Sequence, residues 1–365
     1  MASMVTAQGT REIQQNIYTA HDQRLNASES WTDCLTRIWD LFVDTIKSAL
    51  RWIGLLSDPS VTARLSRQMQ YAMQQMEQEP AKPFQYLAAP GDWGMQEERI
   101  GGYSVGIAHA QGRRPTMEDE HLATSFTLAV GGRRYPVQLF GIFDGHGGRD
   151  AARFVRDNLR AKLQEALVEC NSGRLSEEGI WNALKKTTTQ LNEEFKQRCG
   201  QTANAQGTTA TIAMILDGNL WTANVGDART VLDNQGTPFQ LTEDAKPDDP
   251  RYKKGIEKRG GSVVTVDGVA RINRVLAVAR AIGDNAVRGV NPSPKITKKP
   301  LSEIRPGSHL ILCCDGVYDV ARTKDVVHAV RTHRNTSAGN LARNIIYSSH
   351  QAGSTDNLSA LVVKL

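Results

Sequence analysis

The chain has 365 residues, 40% of them hydrophobic and 23% charged, with a net charge of +5. This composition excludes a mostly disordered or collagen-like chain, and the length holds one large domain with an appendage, or two domains. The charge is uneven. Residues 1–100 carry 9 basic and 12 acidic side chains (net −3), which leaves 35 and 27 (net +8) for residues 101–365. That surplus is too mild and scattered for a nucleic-acid binder and suits an acidic or phosphorylated partner.

Residues 1–28 are polar. From Ser30, with Asp33 placed as in a capping box, Trp31, Leu35, Ile38, Trp39, Phe42, Ile46, Leu50 and Ile53 recur at helical spacing. Asp58-Pro59 restarts a helix whose apolar stripe is Val61, Leu65, Ala72 and Met76, and Pro80 ends it. The pattern predicts an amphipathic helical hairpin that either packs on the rest of the chain or binds a regulatory partner. Pro80, Pro83, Pro90, Gly91 and Gly94 make residues 80–100 read as a linker. The predicted division is therefore an N-terminal region over 1–95 and a second domain over 96–365.

From Tyr103 the texture turns to strands, predicted at 103–109, 122–130, 134–143, 208–216, 219–225, 228–233, 262–266, 308–314 and 358–364. Gly131-Gly132, Asp217-Gly218 and Asp267-Gly268 read as hairpin turns. Helices are predicted at about 148–170, 176–199, 324–333 and 337–351, the second capped by Ser176. Hairpins without strand–helix alternation imply antiparallel sheets, with paired helices on the outer faces.

Cys34, Cys170, Cys199, Cys313 and Cys314 show no Cys-x-x-Cys spacing, and their odd number argues for free thiols in a reducing compartment, the cytoplasm or alternatively the nucleus. The first residues lack a signal-peptide pattern, and no apolar run is long enough to span a membrane.

The chemistry sits in carboxylates at strand ends. Leu139–Phe143 runs into Asp144-Gly145-His146-Gly147-Gly148, and Leu310–Cys314 into Asp315-Gly316. Trp221–Val225 leads to Gly226-Asp227, Met117-Glu118-Asp119 follows Arg113-Arg114, and Asp356-Asn357 precedes the last strand. Asp-Gly is first a turn signal. Asp144 is followed by His146, two further glycines and a helix, and Asp315 itself follows a continuous apolar run in place of an alternating one, so two readings stand at this point: turns and caps, or a carboxylate cluster for hard divalent cations. No His/Cys cluster, phosphate-binding glycine loop or nucleophile elbow competes.

Eight motifs in register then carry a resemblance. They are Arg114-Pro-Thr-Met-Glu118-Asp119, Phe143-Asp-Gly-His-Gly-Gly148, Gly207-Thr-Thr-Ala210, Val225-Gly-Asp-Ala-Arg229, Thr242-Glu-Asp-Ala-Lys-Pro247, Leu276–Asp284, Cys314–Asp319 and Ser354-Thr-Asp-Asn357. Together they resemble the type 2C metal-dependent serine/threonine protein phosphatases, eukaryotic-type branch, over about residues 101–365. The resemblance implies an α+β fold, two stacked antiparallel sheets flanked by helix pairs. It implies two Mg²⁺ or Mn²⁺ ions bridged by Asp144, with Asp315 and Asp356 completing one site. The Gly145 carbonyl would serve the other ion, with Glu118 reaching it through water and Asp119 in support. Asp227 and Asp319, with Asp315, match a weaker third position. Arg114 would clamp the phosphate and His146 protonate the leaving oxygen, while a metal-bridging hydroxide attacks phosphorus in line. Phosphorylated proteins would be the substrates, and a catalytically silent phosphoprotein-binding scaffold is the alternative. Three departures concern the substrate-facing flap: Arg274 stands where the family has glycine, Ala279 where serine is common, and the segment 285–294 is short.

Overall fold

The computed structural model describes residues 93–200 and 205–365. The helical hairpin expected over 30–80 lies outside the described residues. The strands are β1 (Trp93–Ile100), β2 (Tyr103–Ala110), β3 (Glu120–Val130), β4 (Arg133–Phe143), β5 (Gly145–His146), β6 (Gly207–Thr208), β7 (Ala210–Leu216) and β8 (Asn219–Val225). They continue with β9 (Arg229–Asn234), β10 (Thr237–Gln240), β11 (Val263–Val266), β12 (Val269–Ile272), β13 (Ile282–Gly283), β14 (Lys295–Pro300), β15 (His309–Cys313) and β16 (Leu358–Lys364). The helices are α1 (Asp150–Glu169), α2 (Glu177–Cys199), α3 (Pro250–Lys258), α4 (Asp315–Tyr318), α5 (Thr323–Thr332) and α6 (Ala338–Gln351).

The hairpin turns form where the sequence places them. Asp217-Gly218 and Asp267-Gly268 have positive φ at both central residues (49° and 70°; 50° and 83°), the left-handed pair that matches the twist of the flanking strands. Gly131-Gly132 (59° and 72°) forms the same kind of turn as expected, and Gly101-Gly102 (56° and 95°) and Gln235-Gly236 (52° and 94°) make two more that the sequence pattern did not single out. Two antiparallel sheets result, with strand orders β14-β8-β7-β4-β3 and β1-β2-β16-β15-β9-β10. Phe140, Ile142, Ala213 and Ile215 from the first face Val105, Ile107, Leu310, Leu312, Leu361 and Val363 from the second, and fill the space between them. The opposite faces carry the helices. Leu159 and Leu163 of α1 and Leu184 and Leu191 of α2 pack on Leu128, Leu139 and Ile212. Val326 and Val330 of α5 and Leu341 and Ile345 of α6 pack on Val231, Ile311 and Val362. The chain is thus an αββα sandwich.

The structure corrects the linker reading of 80–100: residues 93–100 form β1. Its sequence gives no apolar alternation because it is an edge strand, exposed along nearly all its length and held to β2 by backbone pairing from Trp93↔Ala110 to Ile100↔Tyr103.

The register explains where the site must lie. β4 ends at Phe143 opposite Glu120, the first residue of β3. β8 ends at Val225 opposite Ala210. In the second sheet β15 ends at Cys313 opposite Ala360 of β16 and Arg229 of β9. The residues just outside these ends, 118–119, 144–145, 227, 315 and 356, therefore gather at one edge of the sandwich.

Candidate active site

Each acidic segment is fixed by its own bonds. The Asp144 N–H donates to Thr209 Oγ1 (3.2 Å), while the Thr209 N–H and Thr208 hydroxyl both donate to the Asp144 carbonyl (2.9 and 3.1 Å). Gly145 is held so close to the neighbouring loop that a Cβ there would lie 2.3 Å from the Glu118 carbonyl oxygen. Glu118 accepts from the Thr116 hydroxyl (2.9 Å) and from the Gly148 N–H (3.2 Å). Asn357 ties the loop before β3 to the second sheet. Its amide donates to the carbonyls of Gln111 and Thr116 (both 2.8 Å), and its oxygen accepts from the Glu118 N–H (2.9 Å). Asp119 crosses between the sheets to accept from the Ser359 hydroxyl (2.7 Å).

The acids crowd one another. Burial raises Asp144 well above the usual carboxylate range, and the charges of Asp119, Asp227 and Asp356 add to it. Asp315 is raised in the same way, by burial and then by Asp144 and Asp227, and it shares a hydrogen bond with Asp144. Asp119 is pushed up to about 7 by burial, partly relieved by Ser359, with Asp356 raising it further. Asp319 is raised by burial too, but the Lys246 charge opposes this. One oxygen each of Asp119 and Asp227 is buried without a hydrogen-bond partner. Among the described residues no three His, Cys, Asp or Glu side chains are placed as a ready-made metal site. Even so, buried, mutually repelling, incompletely bonded carboxylate oxygens are a donor set that a hard divalent cation satisfies, and they fit Mg²⁺ or Mn²⁺.

Two cations reach the cluster. Arg114, half-exposed, donates to Asp356 Oδ2 at 2.5 Å. Lys246 donates to Asp227 Oδ2 at 2.5 Å; burial alone would lower its pKa, and the Asp227 charge raises it above the lysine range. His146 has its Nε2 2.6 Å from Asp284 Oδ2, the histidine partly buried and the aspartate almost fully so. Burial lowers the His146 pKa, but Asp284 outweighs it and the net shift is upward. Asp284 sits at a left-handed φ of 49°, held by its own N–H on the Gln206 carbonyl (2.9 Å) and by the Gly283 N–H on Asn192 Oδ1 (2.9 Å). Lys246 and Asp284 fall inside motifs visible in the sequence, but the sequence reading gave neither a role. What marks them is their partner, which lies far away in the chain.

All ten expected residues, Arg114, Glu118, Asp119, Asp144, Gly145, His146, Asp227, Asp315, Asp319 and Asp356, stand in this neighbourhood. Arg274, where the resemblance leads one to expect glycine, has a left-handed φ of 68°, beside Asn273 at 50°. Asn273 holds that bend by accepting from the Ser262 N–H (2.8 Å) and donating to the Arg288 carbonyl (2.9 Å).

The sandwich thus carries an edge of crowded, buried carboxylates. The family model described as Protein phosphatase 2C matches residues 103–358. "Protein phosphatase 1L" of Bos taurus is 30% identical over 294 residues, 74% of this chain and 79% of that protein. "Probable protein phosphatase 2C 52" of Oryza sativa subsp. japonica is 32% identical over 275 residues, 75% of this chain but 52% of the relative. A solved "C.elegans sex determining protein" superposes with a TM-score of 0.62 at 25% identity, covering 94% of this chain and 76% of that one. The serine-threonine phosphatase 2C from Toxoplasma gondii shares the fold, with a TM-score of 0.61 at 19% identity over 75% of this chain and 99% of that one. The chain belongs to the protein phosphatase 2C family.

Proposed function

We propose that the protein hydrolyses phosphoserine and phosphothreonine monoesters of other proteins with the help of two Mg²⁺ or Mn²⁺ ions. When bound, the ions supply Lewis acidity that offsets the charge of the phosphate and acidifies water. Asp144, Asp315, Asp356 and the Gly145 carbonyl would hold them, with Glu118 and Asp119 in support and Asp227 and Asp319 at a weaker third position. The remaining steps belong to the side chains. Arg114 presents a planar fork that matches two phosphate oxygens and keeps the ester in line. A serine or threonine alkoxide leaves poorly unless it is protonated, and His146 supplies that proton. Asp284 positions the His146 ring through Nε2 and favours its charged form.

The observation that carries this reading is the meeting of three acids from three strand ends, Asp144, Asp315 and Asp356, beside buried oxygens that lack partners. The four described cysteines are free thiols, which suits work in the cytoplasm or nucleus. The helical hairpin expected near the N-terminus would regulate or target the domain, as its dense tryptophan and leucine pattern on an acidic segment suggests. The test is phosphate release from a phosphothreonine peptide with Mn²⁺. Chelator, Asp144→Asn and Asp315→Ala are each expected to abolish it, and release that survives chelation refutes the mechanism. A silent scaffold would release no phosphate with any metal.

A further inference from the structure

The outer flank of α1 carries a charge pattern that the catalytic reading does not use. Arg149, Arg153, Arg156 and Arg160 follow one another at spacings of four, three and four residues, which places them on one face of a helix. Three converge on one buried carboxylate, Glu120. Arg149 Nε donates to Glu120 Oε1 (2.6 Å), Arg156 Nη1 donates to Glu120 Oε2 (2.5 Å), and Arg153 Nε stands 3.9 Å away. Arg160 lies over the Phe126 ring, 5.9 Å from its centroid. Among the described residues the acids paired with these arginines are Glu120 and Asp157, the latter with Arg156 at 2.8 Å. Four guanidinium groups thus meet two carboxylates, and Glu120 is 3% exposed, so its charge is spent inward while Arg153 stays 52% exposed.

Glu120 and Phe126 are both on β3, the edge strand of its sheet, so the stripe runs along that edge. It begins at the active site. Arg149 directly follows Gly148, whose N–H bonds Glu118, and Glu118 is two residues before Glu120. From Arg149 to Arg160 the stripe spans about 16 Å at ~1.5 Å per helical residue. An extended peptide covers that distance with about five residues.

We infer that the arginine stripe of α1 is a docking surface for an acidic segment of the substrate protein that flanks the phosphorylated residue. This rests on the phosphatase reading above and names a substrate preference of the same site. Guanidinium groups held in place by Glu120 and Phe126 lose little freedom on binding carboxylates, and their fork geometry favours Asp and Glu partners. The contact lies at the surface, so it acts mainly on substrate affinity and weakens with salt.

The experiment compares three phosphothreonine peptides with Mn²⁺ and the full chain: a neutral one, one with five acidic residues before the phosphothreonine, and one with five after it. p-Nitrophenyl phosphate, which has no flank to dock, reports whether the site is intact. The protein is expected to favour one acidic peptide by about tenfold in kcat/KM, through KM, with the preference shrinking between 50 and 500 mM salt. The double variant Arg153→Gln/Arg160→Gln spares the pairs that Arg149 and Arg156 make with Glu120, and it should erase the preference. A wild-type enzyme that turns over all three peptides equally overturns the proposal and leaves the phosphatase reading standing. So does a preference that survives in the double variant. If the variant instead speeds all substrates alike, the stripe is covered by the chain's own acidic N-terminal segment and the substrate assignment falls. No turnover of any substrate would refute the phosphatase reading itself.

Discussion

Asp284→Asn removes one charge from the site and leaves its shape unchanged. Asp284 Oδ2 is 2.6 Å from His146 Nε2 and nearly buried, so the contact is a charge-assisted hydrogen bond shielded from water. Such bonds contribute about 1.5–3 kcal/mol, which corresponds to about 10–150-fold in rate if the bond is made fully when His146 donates its proton. The loss should depend on the leaving group. Phosphothreonine peptides should slow by that factor, while p-nitrophenyl phosphate, whose leaving group needs little protonation, should slow by less than about threefold.

The pH dependence gives the sign. In the proposed mechanism the acid form of His146 is the working form, and its pKa is raised because Asp284 outweighs the effect of burial. Activity on the peptide is therefore lost as pH rises through that pKa, and Asp284→Asn should move this basic limb to lower pH. Gly207→Ala is an independent way to break the same contact, since a Cβ there would lie 2.0 Å from Asp284 Oδ2 and 2.5 Å from His146 Nε2. Steady-state kinetics on both substrates across pH decides the matter. Equal slowing of the two, or an unmoved basic limb, refutes the positioning role.

Two further predictions concern stability. His121 stacks on His109 with centroids 5.4 Å apart, and its pKa is lowered to about 4, by burial and then by His109. The unfolded chain therefore binds the proton first, so the stability present above pH ~6.5 should fall by up to about 3 kcal/mol as pH drops to ~4. His121→Gln should flatten that slope in urea melts, and an unchanged slope rejects the assignment. Asn357→Asp turns an amide that donates to two carbonyls at 2.8 Å into an acceptor facing them. It should destabilise the fold by about 3 kcal/mol and, because the same loop carries Glu118, reduce activity as well. A variant with wild-type melting and turnover would show that the loop does not depend on this bond.

Much of this was legible in the sequence for physical reasons. Helices α1, α2, α5 and α6 bury one face each, so their periodicity is strong, and the hairpin turns carry residues that tolerate left-handed backbone. Asp144 and Asp315 could be read because each follows a strand end with no polar interruption, Leu139–Phe143 and Leu310–Cys314. β1 was hidden because an edge strand needs no apolar alternation. α3 was missed because its nine residues bury just Tyr252 and Ile256, although Asp249 caps it and Pro250 opens it. That is the same signal which, at Asp58-Pro59, was read as a helix start. Lys246 and Asp284 were visible as motif letters, but their roles come from partners that sequence spacing does not reveal: His146 lies 138 residues before Asp284. The arginine stripe needs both the phase of α1 and the buried position of Glu120 before its surplus charge becomes apparent.

The same crowding that suits the acids to divalent cations works against the fold. Asp144 and Asp315 are buried against each other, with the charges of Asp119 and Asp227 close by, and crowded buried like charges destabilise a native state. Under the proposed mechanism, turnover and metal-free stability are therefore opposed at Asp144. Asp144→Asn keeps the size of the side chain and the backbone bonds to Thr208 and Thr209, and removes the repulsion. The metal-free variant should melt a few degrees above the metal-free wild type although its turnover is abolished. Mn²⁺ should have the reverse effect. At a hundred times its dissociation constant a ligand stabilises the native state by about 2.7 kcal/mol, which in a domain of this size raises the melting temperature by about 5–10 °C. The wild type should show that rise and Asp144→Asn little of it. If the metal-free variant melts at or below the wild type, the strand ends are not held together against their own charge, and the cluster is a set of turns and caps that happen to be acidic.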